Sequence, residues 1–262
     1  MTIYQIDAFT DKLFGGNPAA VIPLDIWPDD HLMQSIALEN NLAETAFVVP
    51  EEEHYRIRWF TPTVEVDLCG HATLASAFVM FEELSYPGDT IKFQSRSGWL
   101  SVTRNDSWLT MDFPMDKISP LDITTAMKRC STANILEAYQ GVSDYMFVLS
   151  DQKAVKESHF DLSAIEALGH RGIIFTSEGK DVDFVSRFFA PAFGIPEDPV
   201  TGSTHTTLTP YWAGRIGKKN LTARQVSSRG GYLRCELRSD RVLISGQAVL
   251  YMKGVIKTEH LV

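Results

Sequence analysis

Two short polar segments, far apart in the chain, carry the residue types that proton-transfer chemistry needs. The first spans residues 67–73 (DLCGHAT) and the second spans residues 197–203 (EDPVTGS). Each has a glycine and leads into a segment that predicts a helix. The first N–H groups of a helix lack intrahelical acceptors and carry partial positive charge, so a carboxylate or enolate oxygen is a natural ligand there. The alternative is that Thr73 or Ser203 only caps a helix; two such turns in similar surroundings favour a site.

The surroundings of the two segments also match. Residues 60–62 (FTP) precede the first and residues 189–191 (FAP) precede the second. Both copies predict a strand, a proline-containing loop, a glycine turn and a helix, although the second loop is longer. The pattern indicates two halves of similar build. We expect a domain over residues 1–116 and another over residues 117–262, with the last strand able to cross back to the first domain.

Composition restricts the class of protein. The 262 residues are 44% hydrophobic and 22% charged, which is typical of a globular chain. The net charge of −9 and the lack of a basic block argue against nucleic acid, and the apolar runs are too short to span a membrane. Three separate cysteines without a CxxC pair and a first strand without a leader pattern predict a cytoplasmic protein.

The predicted elements suggest a sheet wrapped around a helix. Residues 72–84 are apolar on almost every side, which is typical of an enclosed helix, and many short strands surround them in sequence. In the second half we predict a linker over residues 115–120, a helix over residues 121–132 and a strand over residues 225–228.

Several familiar chemistries find no support in the sequence. There is no GxGxxG, Walker A or HExxH pattern, and the seven histidines are scattered, so we expect neither a cofactor nor a metal. His71 and His205 alone would give only two metal ligands. A hydrolase triad of Ser203, His71 and Asp198 lacks the GxSxG elbow. Cys69, before a helix, could be a nucleophile or base, although a small buried cysteine is the more frequent case.

An acid among apolar neighbours completes the candidate chemistry. Glu44 lies near the start of an apolar strand predicted over residues 42–50, where it is either exposed at the strand end or buried with a partner. Together with His71 and Asp198 it offers acid and base groups, while Gly70, Gly202 and Ser203 offer hydrogen-bond donors. Proton abstraction beside a carbonyl or carboxylate needs a base, an acid and an oxyanion cradle, and this set supplies all three.

The chain resembles the PhzF-like family of phenazine-biosynthesis isomerases and, more distantly, the diaminopimelate epimerases and proline racemases. The resemblance is carried by residues 7–10 (DAFT), 16–21 (GNPAAV), 41–47 (NLAETAF), 68–73 (LCGHAT), 197–203 (EDPVTGS) and 246–249 (GQAV). It implies an α+β, diaminopimelate epimerase-like fold of two pseudo-symmetric, β-barrel-like domains, each enclosing a central helix. It further implies an active site in the cleft between the domains and a homodimer.

The resemblance also implies roles for individual residues. Glu44 is expected as general acid/base, with His71, Asp198 and Ser203 as partners in proton shuttling or substrate positioning. Substrate binding is expected at the neighbouring positions Asn17, Cys69, Gly70, Ala72, Thr201, Gly202 and Thr204. Where epimerase and racemase relatives place two cysteines, this chain has Cys69 and Thr201. A two-thiol inversion is therefore unavailable, because the pKa of a Thr hydroxyl is far too high for it to replace a thiolate.

These observations predict a cofactor-independent isomerase that moves a proton on a small carboxylate-bearing substrate. Glu44 would accept and return the proton, and its apolar flanks should raise its pKa. One alternative is a non-catalytic small-molecule binding protein on the same fold, and another is a one-thiol epimerase or racemase that uses Cys69. Phenazine synthesis itself is not implied, because loop residues choose the substrate.

Overall fold

The computed structural model describes residues 1–258, so His260, one of the seven scattered histidines, lies outside the described residues. The strands, in chain order, are β1 (Thr2–Ala8), β2 (Asn17–Pro23), β3 (Glu44–Glu51), β4 (His54–Phe60), β5 (Glu65–Val66), β6 (Thr90–Ser95), β7 (Gly98–Asn105), β8 (Trp108–Pro114), β9 (Ser119–Leu121), β10 (Glu137–Gln140), β11 (Asp144–Val148), β12 (Gly172–Glu178), β13 (Phe184–Ala190), β14 (Ile195–Asp198), β15 (Asn220–Gln225), β16 (Gly231–Arg238), β17 (Arg241–Gly246) and β18 (Ala248–Val255).

The helices are α1 (Asp30–Asn40), α2 (Gly70–Phe78), α3 (Thr125–Lys128), α4 (Gln152–Glu157), α5 (Leu162–Glu166) and α6 (His205–Ile216). A π-helical turn over Val79–Glu83 extends α2. The chain forms two units. The first comprises Met1–Asp112 and the chain from Ser245 onward, and the second comprises Phe113–Ile244.

The first unit is built around α2. Every residue of this helix from His71 to Ala77 is buried, and the helix lies against β1, β2, β3, β7 and β18. Neighbouring strands pair β1–β2 antiparallel, β2–β3 parallel, β3–β4 antiparallel, β4–β6 parallel and β6–β7 antiparallel. β18 pairs antiparallel with β1. The sequence predicted a helix surrounded by strands, because a helix that is apolar on all sides must be buried on all sides. The structure confirms this prediction.

The second unit repeats this order of pairing. β10–β11 are antiparallel, β11–β12 parallel, β12–β13 antiparallel, β13–β15 parallel and β15–β16 antiparallel. Its long helix, α6, occupies the place of α2 in the sequence of elements and contacts β15 and β16. The internal repeat predicted from the two glycine turns is therefore confirmed at the level of topology.

An ion pair is repeated together with the strands. Arg58 donates to both carboxylate oxygens of Glu65 at 2.7 Å, and its guanidinium lies 5.1 Å from the centre of the Phe60 ring. In the second unit Arg187 donates to both oxygens of Glu197 at 2.7 and 2.8 Å. Each pair joins a long strand to the short strand that follows it. Because bidentate Arg–carboxylate contacts fix geometry as well as distance, each pair holds the loop that leads to a glycine turn.

Two sequence predictions for residues 115–132 are wrong. The linker predicted over residues 115–120 ends in strand β9, which pairs with β10. The helix predicted over residues 121–132 shrinks to α3, because Thr124 accepts a hydrogen bond from the Met127 N–H and caps the helix late. The chain then leaves the helix after Lys128, and Ser131 forms a β-bridge with Phe160.

The strand predicted over residues 225–228 is also wrong. The strand lies earlier, as β15, and ends at Gln225. The Ser227 hydroxyl donates to the Pro199 carbonyl and accepts from the Gly230 N–H. These side-chain contacts to the backbone form a turn in place of a strand ladder.

Gly16 gives a test of the turn that leads into β2. Its φ is +63°, and a Cβ atom there would lie 2.1 Å from the Ala8 carbonyl oxygen. We expect Gly16→Ala to lower the free energy of unfolding by at least about 2 kcal/mol, through backbone strain and the clash together. The control is Gly217→Ala, at a φ of +75° with nothing within 4 Å of the added methyl group. Its loss should be about 1 kcal/mol. Equal losses in urea unfolding would show that the clash is relieved at no cost.

Candidate active site

Glu44 and His71 form a buried contact in the first unit. Glu44 is the first residue of β3 and only 8% exposed, so the alternative of an exposed strand end is wrong. Its Oε2 atom lies 3.1 Å from His71 Nε2, as an ion-pair contact without the alignment of a hydrogen bond. His71 is the second residue of α2 and is also buried. The start of a strand and the start of a helix therefore bring an acid and a base together.

The other ring nitrogen of His71 is held as well. Asn17 Nδ2 lies 3.2 Å from His71 Nδ1, and Cys69 Sγ lies 3.5 Å from the same atom. Asn17 is the first residue of β2 and is fully buried. The ring thus has polar neighbours on both edges, which fixes its orientation towards Glu44.

The ionisable groups of this cluster shift one another's pKa values. Burial acts to lower the pKa of the ring, but interactions with Cys69 and Glu44 outweigh it, and the pKa of His71 is raised well above its ordinary value. Burial raises the pKa of the Cys69 thiol to about 11, and the charge of Glu44 acts in the same direction. Cys69 is therefore a thiol at neutral pH, which weakens the hypothesis that it acts as the base.

The same three side chains are also types that bind transition metals. One candidate ligand atom from each of Glu44, Cys69 and His71 lies within 4.8 Å of the others. A metal needs its donors to converge on one point, whereas the ring directs one nitrogen to Glu44 and the other to Cys69. The arrangement fits an acid–base pair better than a metal site.

In the second unit Asp198 is held by a network around the other glycine turn. Asp198 ends β14 and is 8% exposed. The Thr201 hydroxyl donates to Asp198 Oδ2. Thr201, which stands where relatives have a second cysteine, therefore orients this carboxylate. Gln225, which is buried, accepts from the Thr201 N–H at 2.9 Å and donates to the Asp198 carbonyl at 2.6 Å. Sequence reasoning missed Gln225, because a Gln at the end of a strand gives no signal.

Two more residues fix this turn from inside the second unit. The Thr204 hydroxyl and His205 Nδ1 both donate to the Thr201 carbonyl at 2.9 Å. His205 is fully buried, and burial lowers its pKa to about 4. A neutral ring that donates to a backbone carbonyl has a structural role, so His205 is not a further acid or base.

Ser203 has a partner that sequence reasoning also missed. Its Oγ accepts a hydrogen bond of 3.4 Å from Arg171 Nη2, and Arg171 is paired with the buried Asp144. Asp144, like Glu44, is an acid at the start of an apolar strand. That pattern could have indicated Asp144 and its partner Arg171 from the sequence, but neither residue was predicted.

The predicted site residues thus fall into two groups, each within one unit. In the first unit Glu44, His71, Cys69 and Asn17 are in contact, and Gly70 and Ala72 flank His71 at the start of α2. In the second unit the residues that flank the start of α6 are Asp198, Thr201, Gly202, Ser203 and Thr204.

The chain matches known proteins over nearly its whole length. The model of the phenazine biosynthesis-like protein family (PhzC-PhzF) matches residues 6–254. An uncharacterized isomerase of Pseudomonas aeruginosa is 48% identical over 264 residues, covering 98% of each chain. The crystal structure of a PhzF-family phenazine biosynthesis protein from Enterococcus faecalis is similar with a TM-score of 0.95 and 47% identity, covering 97% of each chain.

More distant structures show the fold alone. A probable proline racemase from Agrobacterium radiobacter is similar with a TM-score of 0.66 at 9% identity, covering 98% of this chain and 93% of that one. The fold is therefore of the epimerase and racemase class, with the repeated, helix-enclosing units described above. Within this class the chain belongs to the phenazine biosynthesis-like (PhzC-PhzF) family. None of its helices within residues 1–258 has the length and apolar character to cross a membrane.

The Cys69 thiol gives a test of the electrostatics around Glu44. Because Glu44 helps to raise the pKa of Cys69, Glu44→Gln should lower it and speed alkylation of Cys69 by iodoacetamide between pH 7 and 9. Mass spectrometry measures the rate at each cysteine. Cys130 is the internal control: burial raises its pKa to about 11 as well, with Asp161 in place of Glu44 as the next cause. An unchanged ratio of the two rates would contradict the proposed influence of Glu44.

His205 predicts a loss of stability in acid. Its pKa in the folded state is about 4 against 6.5 ordinarily, so the unfolded chain takes up the proton first as the pH falls. Stability should therefore fall between pH 6.5 and about pH 4, by about 3 kcal/mol in total. His205→Asn keeps a donor for the Thr201 carbonyl but cannot titrate, and should lose that much less stability over this range. Urea unfolding measures it, with His31→Asn on the exposed side of α1 as the control; equal acid sensitivity of both variants would refute the assignment.

Proposed function

We propose that this protein is a cofactor-independent isomerase that moves a proton on a small carboxylate-bearing substrate, with Glu44 as the general acid/base. The observation that carries the proposal is the buried contact of 3.1 Å between Glu44 and His71. Relatives that are named isomerases and a fold shared with a racemase support the reaction class. Glu44 and His71 are both acid–base groups, and both lie at the ends of rigid elements, where catalytic groups are held most precisely.

The reaction needs only side-chain chemistry. The Glu44 carboxylate takes a proton from a carbon next to a carbonyl or carboxyl group, and the electrons of the broken C–H bond pass into an enolate-like system. Glu44 then returns the proton to another carbon of that system, so the substrate is isomerised with no net gain or loss of atoms. The His71 ring, whose pKa is raised, supplies a proton for developing oxyanions.

The second unit contributes Asp198 and Ser203 in this proposal. The Thr201 hydroxyl orients the Asp198 carboxylate, and Gln225 holds the Asp198 backbone carbonyl, which suits a carboxyl group that exchanges protons in a fixed geometry. Ser203 at the start of α6 is a candidate hydrogen-bond donor to substrate. Their variants, Asp198→Asn and Ser203→Ala, should each slow turnover while the protein stays folded.

Glu44→Gln tests the proposal. The wild-type protein is incubated in D2O with a panel of small carboxylic and amino acids, and mass spectrometry reads incorporation of deuterium at carbon. For any compound that exchanges, Glu44→Gln should reduce the rate by about 10²–10⁴-fold, the usual contribution of a positioned acid or base. Glu51→Gln, at the other end of β3, is the matched control and should exchange as the wild type does.

The other outcomes separate the alternatives. Undiminished exchange in Glu44→Gln would refute the assignment of Glu44. Exchange that is lost on alkylation of Cys69 and protected by substrate, while Glu44→Gln stays active, would favour the one-thiol epimerase. Ligand binding with no exchange in any protein variant would indicate a binding protein on this fold.

A further inference from the structure

A second polar cluster, formed by Arg171, Asp144 and Ser203, lies in the second unit. Arg171 directly precedes β12, and Asp144 begins β11, which pairs in parallel with β12 so that Asp144 lies opposite Gly172. Arg171 Nε donates to Asp144 Oδ1 at 2.9 Å, and Nη2 donates to Oδ2. Asp144 is only 3% exposed. A bidentate pair with a buried carboxylate fixes the plane of the guanidinium.

An aromatic ring supports the same plane from another side. The Arg171 guanidinium lies 5.3 Å from the centre of the Phe188 ring. A Cβ atom at Gly172 would lie 2.5 Å from two carbon atoms of that ring. Gly172 therefore allows the ring to lie close to the strand, where Arg171 stacks on it. Asp144 and Phe188, with Gly172 leaving room for the ring, thus hold the orientation of one guanidinium group.

The orientation matters because it determines what Ser203 can do. Arginine only donates hydrogen bonds, so Ser203 Oγ is the acceptor in its contact of 3.4 Å with Arg171 Nη2. The hydroxyl proton of Ser203 then remains for an acceptor elsewhere. Among residues 1–258 neither this proton nor the Nη1 group of Arg171 has a hydrogen-bond acceptor. The Arg171 side chain is 36% exposed, so a ligand can reach it.

The repeat gives an independent reason to assign a role to this place. The pairs Thr45–Phe60 and Ile173–Phe189 are equivalent in the registers of the two units. By this alignment Glu44 corresponds to Gly172, with Arg171 one residue earlier. His71 follows the glycine of the first turn as Ser203 follows the glycine of the second. In the first unit the first residue of the third strand contacts the residue after the glycine turn, and in the second unit the residue just before the third strand does so.

We propose that Arg171 is a positioning residue that holds Ser203 as a hydrogen-bond donor, and that Ser203 binds a carboxyl or carbonyl oxygen of the substrate. The assignment deepens the proposed function and rests on it for the identification of the ligand as substrate. Asp144, Asp198 and Asp116 all act electrostatically on Arg171. These three carboxylates offset the positive charge of Arg171. The site should therefore prefer an oxygen acceptor because the Ser203 hydroxyl is held as a donor, and not because the site is positively charged.

Binding of three probes tests the inference in the intact protein. Benzoate and benzamide present oxygen acceptors, whereas benzylamine presents only donors, and backbone-amide NMR of residues 202–204 follows each titration. We expect benzoate and benzamide to bind more tightly than benzylamine. Arg171→Met and Ser203→Ala should each weaken benzoate binding by about tenfold, the effect of one hydrogen bond to a charged group. The double variant should bind no more weakly than Ser203→Ala, because Arg171 acts through Ser203.

Two further variants separate positioning from stability. Arg215→Met removes an arginine of the same unit that is also paired with a carboxylate and stacked on an aromatic ring, but lies in the last turn of α6, away from Ser203; it should bind benzoate as the wild type does. Arg171→Lys keeps the charge and loses the planar fork, so it should behave like Arg171→Met. Urea unfolding checks that each variant is folded.

The inference is overturned if the losses of benzoate affinity add in the double variant, or if Arg171→Lys binds benzoate as the wild type does. It is also overturned if benzylamine binds most tightly of the three probes. Failure of both benzoate and benzamide to give saturable chemical-shift changes that depend on Ser203 would overturn it as well. The proposed function is judged separately by deuterium exchange in Glu44→Gln. If Glu44→Gln loses exchange but the benzoate-binding losses of Arg171→Met and Ser203→Ala add in the double variant, only the role of Arg171 is refuted. If Glu44→Gln keeps its exchange but the binding losses do not add, the role of Glu44 is refuted and Ser203 remains an oxygen-binding residue.

Discussion

The contact between Glu44 and His71 is the interaction on which the organisation of the first unit depends. An isolated carboxylate in an apolar interior is strongly unfavourable, and removal of one partner from a buried pair leaves an uncompensated charge. The pair therefore requires β3 and α2 to begin at the same place, and it requires Asn17 at the start of β2 to orient the ring from its other edge. An enclosing sheet with a helix inside it is a scaffold that can meet all three requirements with rigid elements.

The second unit shows which parts of that scaffold are independent of the chemistry. Its strand pairing, its long helix and its bidentate arginine–glutamate pair all match those of the first unit. The difference is concentrated at the start of the third strand and after the glycine turn. Gly172, directly preceded by Arg171, corresponds to Glu44, and Ser203 corresponds to His71. The repeat therefore preserves positions and changes residue types, as is expected when one fold carries different sites.

The sequence predicted what depends on local pattern. An acid among apolar neighbours indicated Glu44, and a helix apolar on all sides indicated α2. What it could not supply was the pairing of residues distant in the chain. Arg171 is 27 positions from Asp144 and 32 from Ser203, and Gln225 is 24 from Thr201. The predicted helix over residues 121–132 failed for a related reason, because Leu121 pairs with Ala138 and Ser131 bridges to Phe160, which leaves only Thr125–Lys128 helical.

The absence of a second cysteine at position 201 has a structural explanation in the second unit. A thiolate base needs an environment that lowers its pKa, and the Thr201 hydroxyl instead donates to Asp198 while its N–H donates to Gln225. The turn is thus organised to hold a carboxyl group. In the first unit burial keeps Cys69 protonated beside a glutamate with a histidine partner. In both units the carboxyl group, and not the position of a thiol, is the group whose surroundings are specified, which is what a proton-transfer mechanism based on Glu44 requires.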